Sequence, residues 1–151
     1  MAGRWTIRLA FAPYEGKPDG ESAQGSEFWH PGPGGRSLIE EFESNRGGTK
    51  RTGLAVFWWD TQFHGSRVVW CFSRDEQGCV ALTKPGHWEA DQFVLQNEFE
   101  RDGRRFSSRE VFADFTGDSF LQTYYEGEVG KDLKLVLTIR AKRTDGRSQS
   151  Q

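Results

Sequence analysis

Two cysteines and one methionine in 151 residues leave this chain little sulfur chemistry. A structural zinc site needs four ligands, and His87 alone does not complete one with Cys71 and Cys79. The other histidines, His30 and His64, also have no partner at metal-ligand spacing. An excess of one charge is lacking too: 20 Lys and Arg stand against 22 Asp and Glu. That balance offers no electrostatic case for nucleic acid or an anionic membrane. No apolar run approaches the roughly 20 residues needed to span a bilayer. The opening "MAGRWTIRLAFAP" has no apolar h-region or small-residue cleavage site, so the expected compartment is the cytoplasm. There is no G-x-S-x-G, no H-E-x-x-H and no dinucleotide fingerprint. The glycines of "GPGG" lack the Lys and the strand–loop–helix setting of a phosphate loop and read as a turn.

Long amphipathic helices are missing as well. The nearest candidate, "SLIEEFES" at 37–44, is rich in helix formers. It sits between "HPGPGG" and "NRGG", and Leu38 and Phe42 fit strand alternation, so it is read as a strand. What is abundant is aromatic: six Trp, twelve Phe and three Tyr. A core made of these needs few residues, because each fully buried large side chain is worth about 1.5–3 kcal/mol.

Strand signals recur at 4–11, 22–30, 36–44, 53–60, 66–73, 78–83, 86–101, 104–115, 118–127 and 132–143, separated by Gly, Pro, Asp and Asn clusters. Short strands at such spacing predict an all-β fold. The brief "RDG" and "TGD" links favour up-and-down antiparallel neighbours. Several strands carry one apolar face: Trp5, Ile7, Leu9 and Phe11; Phe93, Leu95 and Phe99; Leu133, Leu135, Leu137 and Ile139. Closing about eight to ten of them into a single barrel hides the edges and leaves room for side chains or one small ligand. One domain, 1–145, is expected, with a disordered polar tail at 146–151.

The hairpin "GLAVFWWDTQFHGSRVVWCFS" at 53–73 is apolar on both faces. One face should line the interior. With Trp58 and Trp70 inward, Phe57, Trp59 and Val69 form an outer patch that suits a homodimer. Cys71 and Cys79 fall opposite each other if the chain turns around Asp75. Their separation of about 4.5–5.5 Å permits a disulfide, but a reducing cytoplasm predicts two packed thiols.

Glu40 lies between Leu38 and Phe42, and Asn97 between Leu95 and Phe99, so both are expected inside. Two strands leave their register open: Phe106, Glu110 and Phe112 or Arg109, Val111 and Phe115; Phe120, Gln122 and Tyr124 or Leu121, Thr123 and Tyr125. The candidate site is therefore an aromatic wall with a polar handle, built from Glu40, Trp58, Trp70, Asn97, Arg109 and Tyr124. The same residue types also make a satisfied internal hydrogen-bond network. The expected function is binding of a small, mostly apolar molecule. The alternative is a barrel isomerase or cyclase, with Glu40 and Tyr124 or Arg109 as its acid–base pair.

The order of "GRWTIRLAF", "GSEFWHPGPGGRSLIEEFES", "GLAVFWWD", "VVWCFSRDEQGC", "HWEADQFVLQNEF", "DGRRFSSREVFADFTGDSFLQTYYEG" and "LKLVLTIRAKR" resembles bacterial lipocalin-like proteins of unknown function, of the calycin type. The resemblance spans nearly the whole chain. It implies an antiparallel barrel with a central cavity and implies no activity. Haem-binding barrels of similar type use a His late in the chain; here no His follows His87, so no cofactor is expected.

Overall fold

The computed structural model describes residues 1–73 and 78–144. Eleven antiparallel strands form one sheet: β1 (Gly3–Phe11), β2 (Glu21–Pro31), β3 (Ser37–Arg46), β4 (Thr49–Asp60), β5 (Gly65–Phe72), β6 (Cys79–Ala81), β7 (His87–Glu89), β8 (Gln92–Arg101), β9 (Arg104–Ala113), β10 (Ser119–Glu128) and β11 (Lys134–Arg143). Segment 37–44 is a strand, and no α-helix occurs among the described residues. No helix there is long and apolar enough to cross a membrane.

The order β6-β5-β4-β3-β2-β1-β11-β10-β9-β8-β7 is an up-and-down meander in which the last strand returns to the first. Its two end strands, β6 and β7, are consecutive in the chain. Segment 82–86 joins them and reaches back to β5: Ser66 and Gly86 exchange backbone hydrogen bonds of 3.0 and 2.6 Å. The approach is close. A Cβ on Gly86 would meet the Leu95 and Phe93 side chains at 2.5 and 2.7 Å, and one on Gly65 would meet Pro85 at 2.6 Å. The curled, barrel-like sheet is compatible with the calycin type.

The single strand expected over 86–101 is instead two, β7 and β8. Glu89 pairs with Gln92 across a two-residue turn in which Ala90 has φ 53°. A non-glycine residue in this region is uncommon, so composition did not mark the turn. Elsewhere the turn chemistry was visible: Asp102–Gly103 has both φ positive, as a tight hairpin link requires.

Two expectations are corrected. Cys71 and Cys79 do face each other, with Cα atoms 4.0 Å apart, but they are joined as a disulfide rather than packed as thiols. The turn around Asp75 and the tail lie outside the described residues. Trp58 also does not share the inner face with Trp70. Residues 61–64 make a four-residue turn with Asp60 opposite Gly65, so every facing pair joins an odd to an even position. Phe57 therefore faces Val68, and Ala55 faces Trp70, inside the sheet. Trp58 faces Arg67 on the outside and is 38% exposed. The Asp60 carboxylate holds this turn by accepting from Gln62 N–H and Phe63 N–H. Phe57→Ala should accordingly lose about 3–5 kcal/mol of stability. Trp58→Ala should stay within about 1 kcal/mol. Urea unfolding measures both, and the reverse order would restore the Trp58-inward register.

Candidate functional site

Alternation sends one set of side chains from every strand into the curl. At one end that set is aromatic. Trp5, Trp29, Phe57, Phe112 and Phe120 are buried there and contact one another edge to face or tilted, with ring centroids 5.0–6.4 Å apart. Above them a cleft of about 830 Å³ opens to solvent, within the roughly 300–1,000 Å³ typical of small-ligand sites. Its rim carries Trp59, Trp88 and Phe115, all exposed. Trp88 lies 5.5 Å from the Phe93 ring and 5.8 Å from that of Phe115. A second cleft, about 850 Å³, runs over the outer face of β1–β5 beside Arg4, Phe28, Glu41, Leu54 and the disulfide. Phe28, Phe42 and Phe72 also line it, but none of its lining residues is an exposed tryptophan.

Next to the aromatic floor lies a polar layer. Trp29 joins the two, donating Nε1–H to Glu27 Oε2 at 2.8 Å. Glu27 of β2 and Glu40 of β3 are buried. Glu110 of β9 keeps part of its surface accessible, yet its carboxyl sits deep enough for burial to dominate its acidity. Gln122 of β10 donates its side-chain amide to Glu110 Oε1 at 2.5 Å. Burial pushes Glu27 up to about 7, against the Trp29 bond, with the charge of Glu110 adding to the rise. Burial also lifts Glu110 to about 7, opposed by its bond from Gln122. Glu40 rises well above the carboxylate range through burial first, then the charges of Glu27 and Glu110. Tyr124, whose hydroxyl donates to Glu126 Oε2 at 3.2 Å, is likewise raised by burial. Glu40 Oε2 and Gln122 Oε1 are buried with no hydrogen-bond partner among the described residues.

The predicted site residues divide accordingly. Glu40 and Tyr124 point inward and belong to one electrostatic cluster, since Glu110 bears on both. Trp70 is buried, stacked on Phe72 and edge-on to Phe57. Trp58 stands on the outer face but borders the aromatic cleft. Asn97 is buried and anchors the closing segment: its Oδ1 accepts from Thr83 N–H at 3.1 Å and from the Thr83 hydroxyl at 3.0 Å. Arg109 lies away from this cluster. The register that brings Glu110 inward places it on the other face, paired with Glu89 at 2.7 Å. Sequence reasoning passed over Glu27 and Trp29. Their common parity with Ala23 on β2 was the available signal, but a lone Glu in a strand is ordinarily assigned to solvent.

No family model matches the chain, and no curated protein matches it. The functional reading therefore rests on this geometry.

Proposed function

We propose that this protein binds a small, mostly apolar molecule in the aromatic cleft at the open end of a calycin-like barrel. The observation that carries the reading is the cleft itself, with buried rings as its floor and exposed Trp59, Trp88 and Phe115 around its rim. Exposed aromatics cost solvation in the free protein and regain it when a ligand covers them. Trp58 and Trp70 then serve at the cleft margin and in the supporting core. Glu40 and Tyr124 belong to the polar layer, and Asn97 holds the closing segment.

A second reading is an isomerase or cyclase. It is favoured by one observation: Glu27 and Glu110 are tuned to about 7, where a carboxyl both gives and takes a proton near neutrality. A homodimer through the outer face of the 53–73 hairpin is a further proposal, now resting on Leu54, Val56, Trp58 and Val69 rather than on Phe57 and Trp59, since Trp59 shares the parity of Phe57 and borders the cleft. A cytoplasmic location would hold Cys71 and Cys79 as thiols; their bond fits an oxidising compartment better.

Tryptophan emission during titration with n-octanol tests the binding reading. Saturable change is expected. Trp88→Ala, at an exposed rim position, should weaken binding by about fivefold, the equivalent of roughly 1 kcal/mol of aromatic contact. Emission and titration heat that stay flat with n-octanol would overturn it.

A further inference from the structure

Charge is shared unevenly between the two clefts. Along the outer one, Arg4 stands with Glu27, Glu41 and Glu43. The charged residues that line the aromatic cleft are Arg36 and Arg143, and no described Asp or Glu joins them. The whole chain carries 22 acidic residues against 20 basic ones, so a lining charged by cations alone is a local feature. The buried carboxyls lie beyond the floor rings, and burial keeps Glu27 and Glu110 largely protonated below about 7. They do not oppose a negative group at the cleft mouth.

The two arginines are held differently. Arg143, at the end of β11, donates Nε–H to the Gly117 carbonyl at 2.8 Å and Nη1–H to that of Ala2 at 2.9 Å. Its guanidinium also lies 4.3 Å over the Trp5 ring. These contacts make it part of the wall. Arg36 instead follows the short 3-10 turn Pro33–Gly35, in which Gly34 and Gly35 both have φ 68°, a conformation that glycine takes without strain. Gly32 N–H donates to Ser37 O at 2.9 Å, and Gly35 N–H to Gly32 O at 3.0 Å. The turn thus fixes the Arg36 backbone at the mouth. Arg36 is exposed and makes no ion pair with a described residue. Ser37, beside it, lines the cleft as well and carries a hydroxyl donor.

A second, independent observation concerns the apolar lining. Ten of the lining residues are aromatic, and the described aliphatic ones are Met1, Pro31 and Leu38. An alkyl chain against such walls gains only the area that it buries. A flat ring gains offset or edge-to-face contacts as well.

We propose that the ligand of the aromatic cleft is an aromatic organic anion, its ring body over the floor of Phe57, Phe112 and Phe120 and its carboxylate-like head on the Arg36 guanidinium at the mouth. This rests on the reading of the cleft as an apolar-ligand site. A guanidinium presents paired N–H donors that match the two oxygens of a carboxylate. With the head at an exposed arginine, the charge keeps much of its hydration while the body leaves water, so burial of the rings is not offset by burial of a charge.

Titration calorimetry with 2-naphthoate, octanoate, n-octanol and n-octylammonium tests this. Octanoate should bind about fivefold tighter than n-octanol, 2-naphthoate about threefold tighter again, and n-octylammonium weakest. Arg36→Gln should bring the octanoate preference over n-octanol from about fivefold to about one, and Arg36→Lys should keep part of it, since the charge remains without the fork. The order among the four probes needs no variant. Octylammonium binding as tightly as octanoate would overturn the anion. Octanoate binding as tightly as 2-naphthoate would overturn the aromatic body. An unchanged octanoate preference in Arg36→Gln would take the head away from Arg36. In each of these results n-octanol still binds and the apolar cleft stands; binding of none would remove both.

Discussion

Stability should fall as pH rises from about 4.5 to about 7, the reverse of ordinary acid unfolding. Glu27 and Glu110 titrate near 4.5 in the unfolded chain and near 7 in the fold, because burial penalises their charged forms. Between those values the folded state holds protons that the unfolded state has released, so each step up in pH favours unfolding. Their contribution is fully present below 4.5 and lost by the time pH has passed 7. The separation corresponds to up to about 3 kcal/mol for each carboxyl, and Glu40 adds in the same direction. Surface carboxylates act oppositely and in a different window: hydrogen bonds from Arg46, Arg109 and Lys84 hold Glu21, Glu89 and Glu98 below the usual range. Their stabilisation is lost only as pH falls beneath 4.5. Urea midpoints should therefore be lower at about pH 8 than at about pH 5, and the gap should narrow in Glu27→Gln and Glu110→Gln. A midpoint that rises over this interval would show that these carboxyls reach solvent or a countercharge.

Replacing Trp29 by Ala should be among the most damaging single changes in the chain. Its indole is 1% exposed and touches the rings of Phe57, Phe112 and Phe120. Truncating such a residue costs about 3–5 kcal/mol. The lost N–H leaves Glu27 without its donor, at a further cost of about 1–3 kcal/mol. Trp29→Phe separates the two effects, because a ring still fills the space. Its loss should be about 1–3 kcal/mol and larger at high pH. The bond from Trp29 favours the charged form of Glu27, so removing it pushes the carboxyl further up and deepens the alkaline deficit. Equal losses in Trp29→Phe at both pH values would mean that the indole N–H does not tune Glu27. Trp59, on the rim and 59% exposed, should tolerate Ala within about 0.5 kcal/mol.

Much of the architecture was legible residue by residue. Alternation in "RWTIRLAF" and "LVLTI" marked strands with one apolar face, and β1 and β11 indeed pair, with Trp5, Ile7, Leu9 and Ile139 in the core. "RDG" marked the β8–β9 turn because Gly tolerates positive φ and Asp does so better than most residues. The candidate site was legible in part. Glu40 and Trp70 were placed inward by their apolar neighbours at i±2, and Asn97 was placed inside by the same rule, whereas the register of the Tyr124 strand stayed open because both of its faces carry an aromatic residue. The face of Arg109 was not readable, since both registers of its strand offered aromatic residues to the core. Nor was the company kept by Glu40. Glu27 and Glu110 lie 13 residues before and 70 after it in sequence; the β2–β3 pairing sets Glu27 beside Glu40, and only the curl of the sheet brings the charge of Glu110 to bear on them.

The chain by itself thus determined its strands, its tight turns and the existence of two distinct faces, because these depend on local backbone preferences and a two-residue period. Tertiary structure alone decided which face of the 53–73 hairpin is inside, since that parity turns on the length of the 61–64 turn and on what lies opposite. It alone assembled the carboxyl layer and the aromatic cleft, because contact between distant strands is set by how the sheet closes, which no local pattern encodes.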